Sequence, residues 1–267
     1  MATTVKECVS ADGTIVYSEG SGNPENPGVV FVHGFALSGI VFDHLFCDNR
    51  LLDKLYLVRY DVRGHGRSGK PVEPAAYTSL RRVECSSPPP SATSAPTSPR
   101  SPSAAPSPSP APSSPKLHQK TLRPLLESLI PKFLSSDDAP AARAEFINAI
   151  FASPPTVPDA VKAAWIRATA AHPPECTRAL LTGHDPAESQ PALERCARAG
   201  LPIMMLNGTS DRIQDGAVGV EEARKLGCFV DFTDARVEGG SRALFYDNLD
   251  EVVGWILPFC ERVLVQG

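Results

Sequence analysis

The sequence predicts an α/β protein whose core is interrupted, and three observations carry that prediction. Short apolar runs rich in β-branched and aromatic residues, Gly28–Val32 (GVVFV), Tyr56–Tyr60 (YLVRY) and Leu201–Leu206 (LPIMML), each lead into a glycine-bearing turn. Buried parallel strands end in this way. Helical periodicity fills much of the remaining chain. Residues 86–115 break from both patterns.

Taken in order, Val5–Ser10 and Thr14–Ser18 read as two short strands about an Asp12-Gly13 turn, a hairpin signal. Gly28–Val32 ends in His33-Gly34-Phe35. Tyr56–Tyr60 runs into Asp61-Val62-Arg63-Gly64-His65-Gly66-Arg67-Ser68-Gly69, where three glycines demand a tight irregular loop. Of the thirty residues 86–115, eleven are proline and eleven serine. Proline removes the backbone donor and fixes φ, and no large apolar side chain offsets the ordering entropy, so a disordered or polyproline-like segment is expected. Beyond it, Leu122, Leu125, Leu126, Leu129 and Ile130 recur at helical spacing. Phe146, Ile147, Ile150 and Phe151 follow suit, then Val161, Ala164, Trp165 and Ala168. Prolines at 131, 140, 154, 155, 158, 173 and 174 cut this stretch into short helices. The closing part alternates again: Leu201–Leu206 as strand, Ala217–Leu226 as helix, a strand within Phe229–Val237, and an amphipathic helix over Asp250–Val265. The expected organisation is a first core portion over 1–85, the Ser/Pro segment 86–115, a helical region 116–199 and a second core portion over 200–267.

The charge and cysteine content exclude several classes. A net charge of -4, with Lys and Arg scattered, leaves no basic stripe for nucleic acid. Seven widely spaced cysteines with no C-x-x-C argue against a zinc site or a disulfide framework, so free thiols in a reducing compartment are expected. The run Val252 to Phe259 falls far short of the roughly 18 residues a membrane span needs, and the N-terminus carries no secretory pattern. A cytoplasmic protein with no membrane partner is the expectation. No metal-ligand cluster and no phosphate loop occur, so no cofactor is expected.

Four features in this order resemble the α/β-hydrolase fold family of serine-hydrolase type, in its small-molecule esterase and haloperoxidase-like branch. They are GVVFV with His33-Gly34-Phe35, the strand leading into the Asp61–Gly69 loop, LPIMML leading into Asn207-Gly208-Thr209-Ser210-Asp211-Arg212, and the VEGGSRALFYDN loop before a last helix. The match covers roughly residues 12–80 and 200–265. It implies a mostly parallel sheet with a helical lid, the central strand region being missing or disordered here. It implies a hydrolase of esters or similar small apolar substrates. In such a site the Phe35 N–H is an oxyanion donor, with His33 and Gly34 shaping its loop. Asp211 matches the triad acid that orients a histidine, with Asp215 as the fallback. His65 and Ser68 are expected to be structural.

The same resemblance exposes two gaps. No G-x-S-x-G occurs anywhere in the chain, and its expected place holds the Ser/Pro segment. The histidines, at 33, 44, 65, 118, 172 and 184, all precede Asp211, whereas the base should follow it; Arg242 occupies that position. Arginine stays protonated and cannot serve as base near neutral pH. Ser241, in Gly239–Ala243, sits too late in the chain to be the nucleophile. The second oxyanion donor, the N–H after the nucleophile, is lost as well, and one such donor is worth on the order of 10²–10³ in rate. Turnover near background is therefore expected. The abrupt composition change at both ends of 86–115 is what an interrupted hydrolase reading frame produces. Two other readings are a non-catalytic relative binding a ligand under the helices, and an interaction protein using the P-x-x-P spacings Pro96 to Pro99 and Pro99 to Pro102.

Overall fold

The structure is a computed structural model and describes residues 3–10, 12–77, 120–183 and 190–266. The Ser/Pro segment, its P-x-x-P spacings, His118 and His184 lie outside the described residues.

The chain opens with a hairpin, β1 (Thr4–Val9) and β2 (Ile15–Ser21), paired antiparallel with Val9 opposite Ile15. Gly13 takes φ 81°, which closes the turn, and Ser10 and Thr14 exchange a backbone bond across it. Next come β3 (Gly28–Val32), two short helices α1 (Asp43–Phe46) and α2 (Asn49–Leu52), and β4 (Tyr56–Tyr60). β4 lies between β2 and β3, antiparallel to the first and parallel to the second, giving the order β1-β2-β4-β3. Val29 and Phe31 of β3 and Leu57 of β4 are buried, so alternate side chains point into the core.

Four helices follow in the middle of the chain: α3 (Pro124–Phe133), α4 (Ala139–Ile150), α5 (Asp159–Ala170) and α6 (Pro174–Gly183). Proline in the first turn starts α3 and α4, where the missing N–H costs nothing. After α7 (Gln190–Arg198), β5 (Ile203–Gly208) and β6 (Phe232–Val237) pair in parallel around α8 (Gly216–Lys225). The chain closes with α9 (Leu244–Asp247) and α10 (Leu249–Gln266).

Among the described residues the strands form two sheets, one of four strands and one of two, and no described strand joins β3 to β5. Even so, one hydrophobic cluster contains Phe31 and Leu57 from the first sheet, Leu206 and Val237 from the second, and Leu129, Ile147 and Trp165 from the helices. Trp165 is the pin: its ring lies 4.8 Å from that of Phe151 and 6.2 Å from that of Phe245.

One expectation from composition fails. Cys8 is disulfide-bonded, whereas Cys47, Cys176, Cys228 and Cys260 are free. An odd count and wide spacing argued against any bridge, but pairing depends on where the fold brings two Cα atoms, and spacing does not report that.

Candidate functional site

The loop after β3 and the loop after β4 lock into each other through two histidines. His33 Nε2 accepts the Val62 N–H at 2.9 Å, and its Nδ1 donates to the Gly34 carbonyl at 2.9 Å. His65 repeats the pattern, accepting the Ala36 N–H at 3.2 Å and donating to the Arg63 carbonyl at 3.1 Å. Both rings are thereby held neutral as the Nδ1–H tautomer. Burial pushes the pKa of His33 down, and pushes that of His65 well below the usual histidine value. The Ala36 N–H points to His65 while Ala36 itself sits at φ 57°, an unusual conformation for a residue with a Cβ. The Phe35 N–H, by contrast, donates to no described residue.

Asp61 fixes the rest of this region. One carboxylate oxygen accepts the Gly39 N–H at 2.7 Å and the other the Arg67 N–H at 2.7 Å. Gly66, at φ 47°, lies against that carboxylate so closely that a Cβ would overlap it. Ser68 is committed as well: its hydroxyl donates to the Asp61 carbonyl at 2.5 Å and accepts the Tyr17 N–H at 2.9 Å.

The loops after β5 and β6 bring Asp211 and Arg242 together. Asp211 Oδ1 accepts the Ile213 and Gln214 N–H groups at 2.7 and 3.1 Å, and Oδ2 lies 3.5 Å from Arg242 Nη1. The same Nη1 donates to Gln214 Oε1 at 2.5 Å. Both side chains are largely withdrawn from solvent, Asp211 at 9% and Arg242 at 18% exposure. Burial pulls the Arg242 pKa down and the Asp211 carboxylate opposes it; the guanidinium remains charged at neutral pH. Arg242 thus pairs with the Asp211 oxygen other than the one that accepts the two backbone N–H groups.

The fallback, Asp215, serves instead as the N-cap of α8. It accepts the Val218 N–H at 3.1 Å and pairs with Arg123 at 3.2 Å. Ser241 is spent on structure: its hydroxyl donates to Asp247 Oδ2 at 2.5 Å and accepts the Ala243 N–H at 3.0 Å.

Gly34 and Arg242 also line one cavity, together with Val41, Phe42, Ile150 and Phe245. The loops that the sequence singled out therefore converge at the carboxyl ends of β3, β5 and β6, where ligands bind in open α/β sheets. The cavity holds about 20 Å³, room for a water molecule and not for a substrate. No described group of three His, Cys, Asp or Glu side chains could hold a metal ion. No described helix is long and apolar enough to cross a membrane.

Sequence reasoning passed over His172. Its ring lies 4.2 Å from that of His65 and 6.2 Å from that of Phe35. It is 3% exposed, and its Nε2 is buried without a hydrogen-bond partner. No spacing signal links residue 172 to residues 33 and 65; tertiary packing alone brings them together.

A sheet of order β1-β2-β4-β3, a parallel β5-β6 pair and loops converging at the carboxyl ends fit parts of an α/β-hydrolase fold. Solved structures agree. Esterase RhEst1 from Rhodococcus sp. superposes with a TM-score of 0.71 at 18% identity, covering 96% of this chain and 98% of that one. A bromoperoxidase from Bacillus anthracis gives 0.63 at 16% identity, covering 97% and 100%. The Cif epoxide hydrolase from Acinetobacter nosocomialis gives 0.64 at 14% identity, covering 96% and 88%. No family model matches the sequence. A curated relative, "Probable oxidoreductase EphD" of Mycobacterium tuberculosis, is 42% identical over 69 residues, which is 26% of this chain. The chain spans only 11% of that relative's length.

Proposed function

We propose that this chain derives from hydrolases of small apolar esters and, with this sequence, does not turn them over. The ester class is suggested by the similar structures named as esterases. The observation that carries the loss of turnover is the Asp211–Arg242 pair. The carboxylate that would orient a base is held by a permanent cation 3.5 Å away. An oriented imidazole is what allows a serine hydroxyl to lose its proton during attack. Arg242 cannot accept that proton. The absence of G-x-S-x-G from the sequence acts in the same direction. The Phe35 N–H, which donates to no described residue, is left able to act as an oxyanion donor, so weak electrostatic assistance is the residual activity expected.

A cytoplasmic location belongs to this proposal too. Four free thiols support it and the Cys8 disulfide speaks against it. The test of function uses the purified 267-residue chain with a fluorophosphonate probe and a p-nitrophenyl ester. No labelled serine, and no saturable ester hydrolysis that depends on Asp211, is the expected result. Stoichiometric labelling of one serine, or enzyme-like turnover abolished by Asp211→Asn, overturns it.

A further inference from the structure

His172 stands between α5 and α6, where the helices meet the two histidine loops. Among the described residues, every charged group acting on it is cationic or can become so. Arg143 on α4 donates from Nη2 to the His172 carbonyl at 3.1 Å. Lys70, at the end of the loop after β4, is held by the Gly66 and Ser68 carbonyls at 2.7 and 3.0 Å. The His65 ring lies tilted 4.2 Å away, and His33 lies behind it, 5.1 Å from His65. Glu175, three residues further on, is exposed. An imidazolium donates from both ring nitrogens, and His172 Nε2 has no acceptor in its buried position. A second cation in this cluster would be both unpaired and unsatisfied.

We propose that protonation of His172 releases the segment carrying α6 from the histidine loops beneath it, so that mild acid opens the helical layer next to Phe35. Among the described residues, α6 packs beside the loop after β4 through a small set of contacts. Tyr77 and Cys176 share the Pro71 carbonyl at 2.7 and 3.1 Å, and Ala76, Tyr77, Cys176 and Ala179 form a small cluster apart from the main core. Such a satellite can open without global unfolding.

The size of the response follows from linkage. Burial, then Arg143 and Lys70, pull the His172 pKa from 6.5 to about 4. In the open state the ring regains its ordinary value. Between pH 7.5 and 5 the opening equilibrium therefore shifts by about 30-fold toward open.

Hydrogen–deuterium exchange on the full chain at these two pH values tests this, after correction for intrinsic exchange. Peptides covering 174–183 should show an opening constant about 30-fold higher at pH 5, while peptides covering α10 stay unchanged. In His172→Phe the acid response should disappear. A wild-type change below threefold, an equal response in His172→Phe, or a parallel rise in α10 overturns the proposal. Should His172→Phe fail to fold, an NMR titration of the His172 ring in the wild-type protein decides. A native value clearly below 6.5 supports the release, and one at or above 6.5 refutes it.

Discussion

Replacing Asp211 separates a structural ion pair from a catalytic acid, and the geometry fixes how large the effect should be. Asp211→Ala removes three interactions together. Two backbone N–H groups, at Ile213 and Gln214, lose an ionised acceptor at 2.7 and 3.1 Å, and Arg242 loses the carboxylate 3.5 Å from its Nη1. Breaking a fully buried pair by deleting one partner costs about 3–5 kcal/mol. The 3.5 Å separation and the residual exposure of Arg242 put this case at the lower end, near 3 kcal/mol. Asp211→Asn keeps Oδ1 as acceptor and removes only the charge, so it should cost about 1–2 kcal/mol. Arg242→Met leaves Asp211 bonded to the same two N–H groups and should cost a similar amount. The double variant Asp211→Asn with Arg242→Met should then be more stable than the sum of the two losses implies, by about 1 kcal/mol. Urea denaturation at pH 7.5, with equal m-values across the set, provides the measurement. Strict additivity, within about 0.3 kcal/mol, would refute the pairing. So would an Asp211→Ala variant as stable as wild type.

Two further outcomes follow from the loops around the site. Gly66→Ala meets both a φ of 47° and the Asp61 carboxylate; it should destabilise by at least about 2 kcal/mol, and a thermal melt within 2 °C of wild type would contradict the crowding. The Ser10 hydroxyl, helped by the Thr14 N–H and Arg63, holds the Asp12 carboxyl at about 2, below its ordinary 3.8. The stability this provides is therefore complete above pH 3.8 and lost as pH falls through about 2. Asp12→Asn should flatten that part of the acid melting curve and leave pH 5 to 7 untouched, as a series of melts between pH 2 and 7 would show.

The strands were legible where local chemistry set both ends. Gly28–Val32 and Tyr56–Tyr60 form where the sequence placed them, because each run stops at a residue whose side chain has work in the next loop, His33 in one case and Asp61 in the other. Boundaries moved where a partner strand decided. The run read as Leu201–Leu206 begins at Ile203, opposite Phe232, and extends through Gly208, opposite Val237. The strand within Phe229–Val237 likewise starts only at Phe232, in register with Ile203. Asp211 and Arg242 were legible because each lies just beyond a strand that local sequence reveals. His172 was not, since its neighbours His33 and His65 lie more than a hundred residues away. Long-range packing creates this contact, and a single sequence carries no signal of it.

The position of Arg242 against Gly34 raises a question of mechanics, because no described strand pairing ties β3 to β5. Side-chain packing and a few directed bonds do so instead. Phe42, just before α1, meets Phe245 of α9 edge to face at 5.1 Å. The Ala243 N–H donates to the Ile150 carbonyl at the end of α4 at 2.9 Å, and the Ala152 N–H donates to Asp247 at 2.8 Å. On the outer side Arg50 pairs with Asp250 at 2.8 Å and Lys54 with Glu261 at 2.6 Å, but these are exposed and contribute little. The aromatic contact and the Ile150 and Asp247 bonds are therefore what place the Arg242 loop against the Gly34 loop. The helices act here as structural members, because α4 and α9 supply the acceptors of the bonds that hold the Arg242 loop in place.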